Sequence, residues 1–526
     1  MSRLPPAVPA LTVAWTLILL SWSLLLPTFR SFDEAAHISG GYALLETGEW
    51  PGYQELHLLT WVLDAIPEEH PGYQPITTTS AEPLSFAELR DAAPAGSSDG
   101  DVNTIGQHPP GYYALLAGFL AVLPDDVPAH VTVWFLRLTS VALLAPLPLL
   151  LGHGARRLRA PPAAVVAAAA GPLLVPQLGA LGGTVTNDNL LTAAAAVVTV
   201  LAVRIATGDL TRTAAVLTGG ALAVALLTKA FALVLVPVVV AAYLLAGRRG
   251  GVLRTAAVRL VLAGAVAALG GWWWIANLVR YGTVQPAGHR PALPGGPLDP
   301  LEGLGDYWHE AVIRVPVRFF ASLSIQIGHQ PPPFSYTLTT GLFTVMVVAA
   351  VVVLARRASF GLRRADAALL LAPFVGCAAA MIAGTWPLYL RTGEPLGLQG
   401  RYLFPGFAGL TLVLALGGPA MLPRRLRSAA AVAVVVAGGV FTGLSMRRVL
   451  GFHWAERDSS VIDGLRAIEA WGPAPGWLLW LLALGYLGTL AWVGRSLIAG
   501  EALAPQRPPR TAGAASQRDR ATPRRR

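Results

Sequence analysis

Asp33 and Glu34 stand side by side just after the first long apolar segment, and His37 follows one helical turn later. If this stretch opens a helix, Asp33 and His37 point to one place. A carboxylate there can serve as general base, taking the proton of an attacking hydroxyl. Partial burial beside a second carboxylate would raise its pKa toward a useful range. Capping and charging a helix N-terminus calls for the same residue types. Asn187-Asp188 follows the turn Gly182-Gly183-Thr184-Val185-Thr186. Asp188 suits a helix cap. It also suits a second carboxylate that converges with the first pair on an acceptor or on a divalent cation, Mg or Mn.

Three basic or aromatic sites complete the candidate set. Lys229 is the only lysine in a chain with 39 lysines and arginines together. A compact ammonium at a tight turn can hold a phosphate as a point charge; the alternative is a snorkelling surface lysine. Arg401 and Tyr402, in Gln399-Gly400-Arg401-Tyr402-Leu403-Phe404-Pro405, open an apolar run. An arginine fork there fits a lipid phosphate or pyrophosphate, while Tyr402 also fits an interfacial aromatic belt. His108 leads Pro109-Pro110, whose rings fix an extended approach, and it either turns toward the carboxylates or stays an exposed loop histidine. The sequence has no Gly-rich phosphate loop and no HExxH zinc helix.

The elements that must position these groups are membrane spans. The 526 residues are 54% hydrophobic and 13% charged, against about 25% charge in soluble domains. Apolar runs of spanning length recur without alternation, which predicts an all-α polytopic membrane protein and excludes a barrel. The first run, about Ala10 to Phe29, reads as a retained span rather than a signal peptide. Arginine clusters at 156–159, 204–212, 248–254, 356–364 and 424–427, and from Arg495 onward, place alternate connections in the cytoplasm. That gives about 12 spans, a large external first loop over 30–130, a second over 278–337, and a disordered basic cytoplasmic tail over 501–526. Gly111 to Leu123 is too short to span easily and is expected flat on the outer surface. Cys377, the single cysteine, excludes an intrachain disulfide. The net charge of +10 sits in short loops and suits anionic lipid rather than nucleic acid.

The order of these features resembles the GT-C superfamily of membrane glycosyltransferases, above all its protein mannosyltransferase and aminoarabinose transferase branch. The likeness runs from Asp33-Glu34 through His108-Pro109-Pro110-Gly111-Tyr112-Tyr113, Arg137-Leu138-Thr139-Ser140 and Asp188 to Leu227-Thr228-Lys229. The segment Gln399 to Pro405 is more similar to a related bacterial family of predicted membrane proteins without a settled function. The resemblance implies a GT-C-like bundle on residues 1–500. It implies transfer of a sugar from a polyprenyl-phosphate donor to a glycan, lipid or protein acceptor outside the cell membrane, with inversion. Asp33 would be the base, Glu34 and Asp188 its acidic support, and Lys229 and Arg401 the phosphate holders. Gly111, where that branch carries a bulkier residue, and a Ser/Gly/Asp-rich insert at about 92–101 are departures. The many helices and external charges also suit a lipid-linked substrate transporter or flippase, or an inactive lipid-binding scaffold of the same fold.

Overall fold

Inside a bilayer every backbone N–H and C=O must be satisfied within its own segment, so apolar runs of this length fold as helices. A computed structural model of the protein describes residues 4–31, 33–65, 83–93, 101–286, 293, 296–320, 336–355, 362–419, 422–423, 426–454 and 460–499. The expected tail over 501–526 and most of the insert at 92–101 lie outside the described residues. No strand forms among them; the only β-contacts are the isolated bridges His57–Val102 and Ser85–Pro128.

The first span is α1 (Ala7–Leu25). The expected first loop then carries α2 (Glu34–Thr47), α3 (Thr60–Leu63), α4 (Phe86–Ala92) and α5 (Gly111–Leu120). These are not loose coil. They form a cap with its own core, which includes Ile38, Trp61, Phe86, Tyr112, Tyr113 and Leu136. α5 packs on α2, where Gly41 leaves room for Leu116. The chain returns to the bundle through α6 (Ala129–Leu144) and α7 (Leu147–Arg157), then α8 (Pro162–Ala170) and α9 (Pro176–Gly182). The stretch holding α8 and α9 is bent by 70° at a short break.

A second bundle follows: α10 (Asn187–Ala206), α11 (Arg212–Leu226), α12 (Leu235–Gly250) and α13 (Leu253–Tyr281). Beyond it lie α14 (Pro300–Phe320), α15 (Tyr336–Ala355), α16 (Arg364–Thr392), α17 (Phe407–Gly417), α18 (Arg427–His453), α19 (Val461–Trp471) and α20 (Gly476–Ile498). The helix α14 falls inside the expected second external loop, yet Tyr307 and Phe319 on it are fully buried in the main core. The chain is therefore an all-α polytopic membrane protein. Ten helices among the described residues are long and apolar enough to cross a bilayer, or 11 with the bent pair counted as one span. The expected count of about 12 is reached only by adding α11, which at 15 residues is below the usual spanning length.

Glycines set the helix spacing where the site is built. A Cβ on Gly406 would stand 2.3 Å from the Phe374 backbone, and one on Gly409 1.9 Å from the Leu370 carbonyl oxygen. Small residues at this spacing let α17 lie directly on α16. A 3-10 turn, Gly400–Gly406, leads into α17 and carries Arg401 inward from that contact.

Candidate active site

Four of the five charged residues singled out in the sequence, Asp33, Asp188, Lys229 and Arg401, meet in one cluster. Lys229 Nζ donates to Asp188 Oδ1 at 2.7 Å. Arg401 Nη2 donates to Asp33 Oδ2 at 2.9 Å, and its Nε lies 3.4 Å from Asp188 Oδ2. The guanidinium thus stands between two carboxylates. The Asp188, Lys229 and Arg401 side chains are 4%, 7% and 5% exposed, whereas Asp33 keeps 45%. Asp33 is the mouth of the cluster and the other three are its floor.

Local sequence explains each placement. Asp33 sits at the N-terminal boundary of α2 with φ 53, a left-handed conformation that aspartate tolerates better than most residues. Its side chain makes no capping bond, so the carboxylate is available to Arg401. The helix start predicted at Asp33 is observed, and the His37 amide donates to the Asp33 carbonyl at 2.9 Å. Asp188 is likewise not the cap of its helix: Thr186 fills that role, its hydroxyl accepting from the Asp188 amide. Gly183 lies against the end of α1, where a Cβ would come 2.6 Å from the Ser23 nitrogen; this holds the turn that feeds α10. Lys229 precedes a short 3-10 turn in extended backbone. It is buried rather than snorkelling, and its ammonium lies 4.5 Å from the centre of the Tyr402 ring. Tyr402 therefore lies under the cation instead of serving only as a belt residue.

Glu34 departs from the role expected of it. Arg137 grips it with Nε to Oε1 at 2.8 Å and Nη2 to Oε2 at 2.6 Å, and the pair is almost wholly buried. The Phe29 and Val185 amides donate to the same two oxygens, while Arg137 also reaches the Ser23 and Pro27 carbonyls. Both oxygens of Glu34 are committed to this clasp, so it braces the Asp33 turn against α6 and the Asp188 turn. Arg137 entered the sequence reading only as part of a motif. A lone arginine within an apolar run was the signal that could have singled it out, because an intramembrane charge demands a partner.

A polar wall adjoins the cluster. His37 Nδ1 pairs with the Tyr113 hydroxyl at 3.1 Å, and Asn187 Nδ2 reaches the same hydroxyl at 3.4 Å. Trp50 stacks on Tyr113 and donates to the His108 carbonyl. His108 is buried rather than exposed on a loop. Among the described residues His108 Nδ1 and Asn187 Oδ1 are buried with no hydrogen-bond partner. Trp50 was not singled out in the sequence and Tyr113 entered only as part of the His108 to Tyr113 motif; both reach this wall through the packing of α2 on α5.

The electrostatics reverse one expectation. Burial pushes the Asp33 carboxyl up, as anticipated, but the charges around it, Arg401 foremost, more than offset this and hold it below the usual range. The second carboxylate does not raise it because a guanidinium lies between the two. Burial lowers His37 to about 4, and it holds His108 well below the ordinary histidine value, with Lys229 adding to that. Both rings are neutral at pH 7. Among the described residues no three His, Cys, Asp or Glu side chains group to hold a metal ion. A divalent cation, as considered from sequence, would find both carboxylates of the cluster already paired with cations. A cavity of about 830 Å³ between α18 and α20, lined by Val436, Gly439, Tyr486 and Leu490, is apolar and contains none of these residues.

Residues 16–410 match the family described as "Predicted membrane protein (DUF2142)". The chain belongs to that family, and the matched region ends just beyond the Gln399 to Pro405 segment. No curated protein matches the chain. Three solved structures are similar to it at low identity. ArnT from Cupriavidus metallidurans bound to undecaprenyl phosphate is 16% identical over 93% of this chain and 77% of that one, with a TM-score of 0.42. The same protein in the apo state is 15% identical over 94% and 75%, with a TM-score of 0.43. The Archaeoglobus fulgidus oligosaccharyltransferase in the apo form is 14% identical over 94% and 56%, with a TM-score of 0.40.

Proposed function

We propose that the protein is a membrane glycosyltransferase of GT-C type that takes a sugar from a polyprenyl-phosphate donor. The observation that carries this reading is the pairing of a half-exposed carboxylate, Asp33, with two buried cations, Arg401 and Lys229, within one cluster. Sugar transfer from a lipid phosphate needs those two functions side by side. One group must accept the acceptor's proton, and others must hold the phosphate as negative charge gathers on it.

In this reading the donor phosphate lies against Arg401 and Lys229 with its isoprenoid tail between helices. The acceptor hydroxyl oxygen bonds to the anomeric carbon as the bond from that carbon to the phosphate oxygen breaks. The departing electron pair stays on the polyprenyl phosphate and is stabilised by the two cations. The acceptor's proton passes to Asp33, and a single displacement inverts the anomeric centre. Asp188 orients Lys229 and Arg401. Neutral His37 and His108, with Asn187, offer hydrogen bonds to sugar hydroxyls. Glu34 holds the Asp33 turn and touches no substrate. The positive-inside pattern supports an external face for this site, and the acceptor is a glycan, lipid or protein.

The test is transfer by the full chain in lipid nanodiscs supplied with a panel of radiolabelled polyprenyl-phosphate sugars. Wild-type protein consumes one donor, and Asp33→Asn, which keeps the left-handed backbone within reach of its side chain, loses turnover by about 10²-fold or more. Near-normal turnover in that variant would remove Asp33 from the mechanism. Donor binding with no consumption would instead establish an inactive lipid-binding scaffold, and neither binding nor consumption would return the transporter reading.

A further inference from the structure

The charges of the cluster balance one another. Two cations face two carboxylates, and the charges cancel without any ligand. The two carboxylates are not equivalent. Asp188 lies on the floor between Lys229 and Arg401, while Asp33 lies at the mouth, on the surface side of Arg401. A phosphate entering from outside meets Asp33 first, at the guanidinium edge it must itself use. Two anions cannot share that edge without strong repulsion in a partly buried site.

We infer that Asp33 is a built-in competitor of the donor phosphate: it occupies Arg401 in the resting site, and donor binding displaces it into position to act on the acceptor. This inference rests on the transferase reading above and adds an order of events to it. The donor binds first, because until it does Asp33 is spent on Arg401. Displacement also changes the carboxylate's chemistry. Arg401 is the strongest of the charges that depress Asp33, and a phosphate on Arg401 both withdraws that charge and adds a negative one nearby. The carboxyl then loses its strongest depressing charge, and it becomes a better base only when a sugar is in place to receive the nucleophile. An empty site therefore holds a weak base behind an ion pair.

The inference makes a counter-intuitive demand on the variant that should kill turnover. Undecaprenyl phosphate binding is measured on the full chain in nanodiscs, for wild type and Asp33→Asn, with neutral undecaprenol as the uncharged control. Asp33→Asn should bind the phosphate more tightly than wild type, by about tenfold, as expected when one competing ion pair is removed, and should bind undecaprenol unchanged. Should that variant fail to fold, Asp33→Gly serves, since glycine also accepts the positive φ. Equal or weaker phosphate binding by the folded variant overturns the competition. If wild type still binds and turns over a donor in that case, the transferase reading survives without it. Equal tightening toward undecaprenol also overturns it, because the effect is then an opened pocket and not a freed charge. Absence of phosphate binding in both proteins removes the inference together with the reading beneath it.

Discussion

At Glu34 both carboxylate oxygens are occupied by Arg137 and by two backbone amides, while one residue earlier the carboxylate faces the surface. Backbone direction at the helix start divides these neighbours into brace and reactive group. Breaking a buried ion pair by removing one partner costs about 3–5 kcal/mol. Glu34→Gln should therefore melt well below wild type in detergent, and Arg137→Met should as well. The combination Glu34→Leu with Arg137→Met should recover part of the loss, as an apolar replacement of a buried pair often does. A Glu34→Gln protein that melts like wild type yet has no activity would make Glu34 a reacting group after all. His37 gives a second prediction. Its value falls from the ordinary 6.5 to about 4 in the fold. Between those values the unfolded chain binds a proton that the folded one does not, so stability is fully present above 6.5 and drains away toward pH 4. The loss is at most about 3 kcal/mol, and His37→Gln should flatten this part of the stability-against-pH curve. Asp33, Asp188, Lys229 and Arg401 were legible because each broke a local pattern, as an acidic residue beside an apolar run, a lone lysine, or a basic residue at the wrong end of a span. Which carboxylate pairs with which cation was not legible, because the partners lie 41, 103 and 368 residues apart.

Among the elements, the contact between the His108-Pro109-Pro110 turn and the Lys229 turn leaves no room for a side chain. The Gly111 amide donates to the Leu227 carbonyl at 3.1 Å. A Cβ at position 111 would fall 2.6 Å from that oxygen and 2.8 Å from the Leu227 Cβ. The glycine that looked like a departure from the resembled pattern is what lets the cap sit on the turn before Lys229. Gly111→Ala should push the two turns apart at a cost of about 1–3 kcal/mol. Its signature is a raised KM for the donor with a smaller change in kcat, since Lys229 moves while Asp33 does not. An unchanged KM would show that the turn adapts. The sequence predicted helices and their apolar character correctly wherever runs were long. It read 30–130 as loop because the cap's helices are short and its core residues are scattered from Phe29 to Val185. It read 278–337 as loop because α14 carries charges on one face while burying Tyr307, Val315 and Phe319 on another.

Over the whole molecule, the last helices close on the first. α20 packs along α1, and Trp454 Nε1 at the end of α18 donates to the Leu25 carbonyl at 2.7 Å. The all-α membrane class follows from hydropathy, and the span count does so only approximately. The convergence of stretches around residues 33, 188, 229 and 401 depends on long-range packing that no local pattern encodes. Those separations carry a consequence for how the protein is made. As helices emerge in order, Arg137 arrives to neutralise Glu34 and Lys229 arrives to neutralise Asp188 while the chain is less than half complete. Each buried charge can then enter the bilayer as part of a neutral couple. Arg401 comes much later and finds only Asp33 with its surface still open. The site is thus completed late, once the spans up to α16 have emerged, and a nascent chain that stalls before the Gly400–Gly406 turn lacks the guanidinium that stands between Asp33 and Asp188.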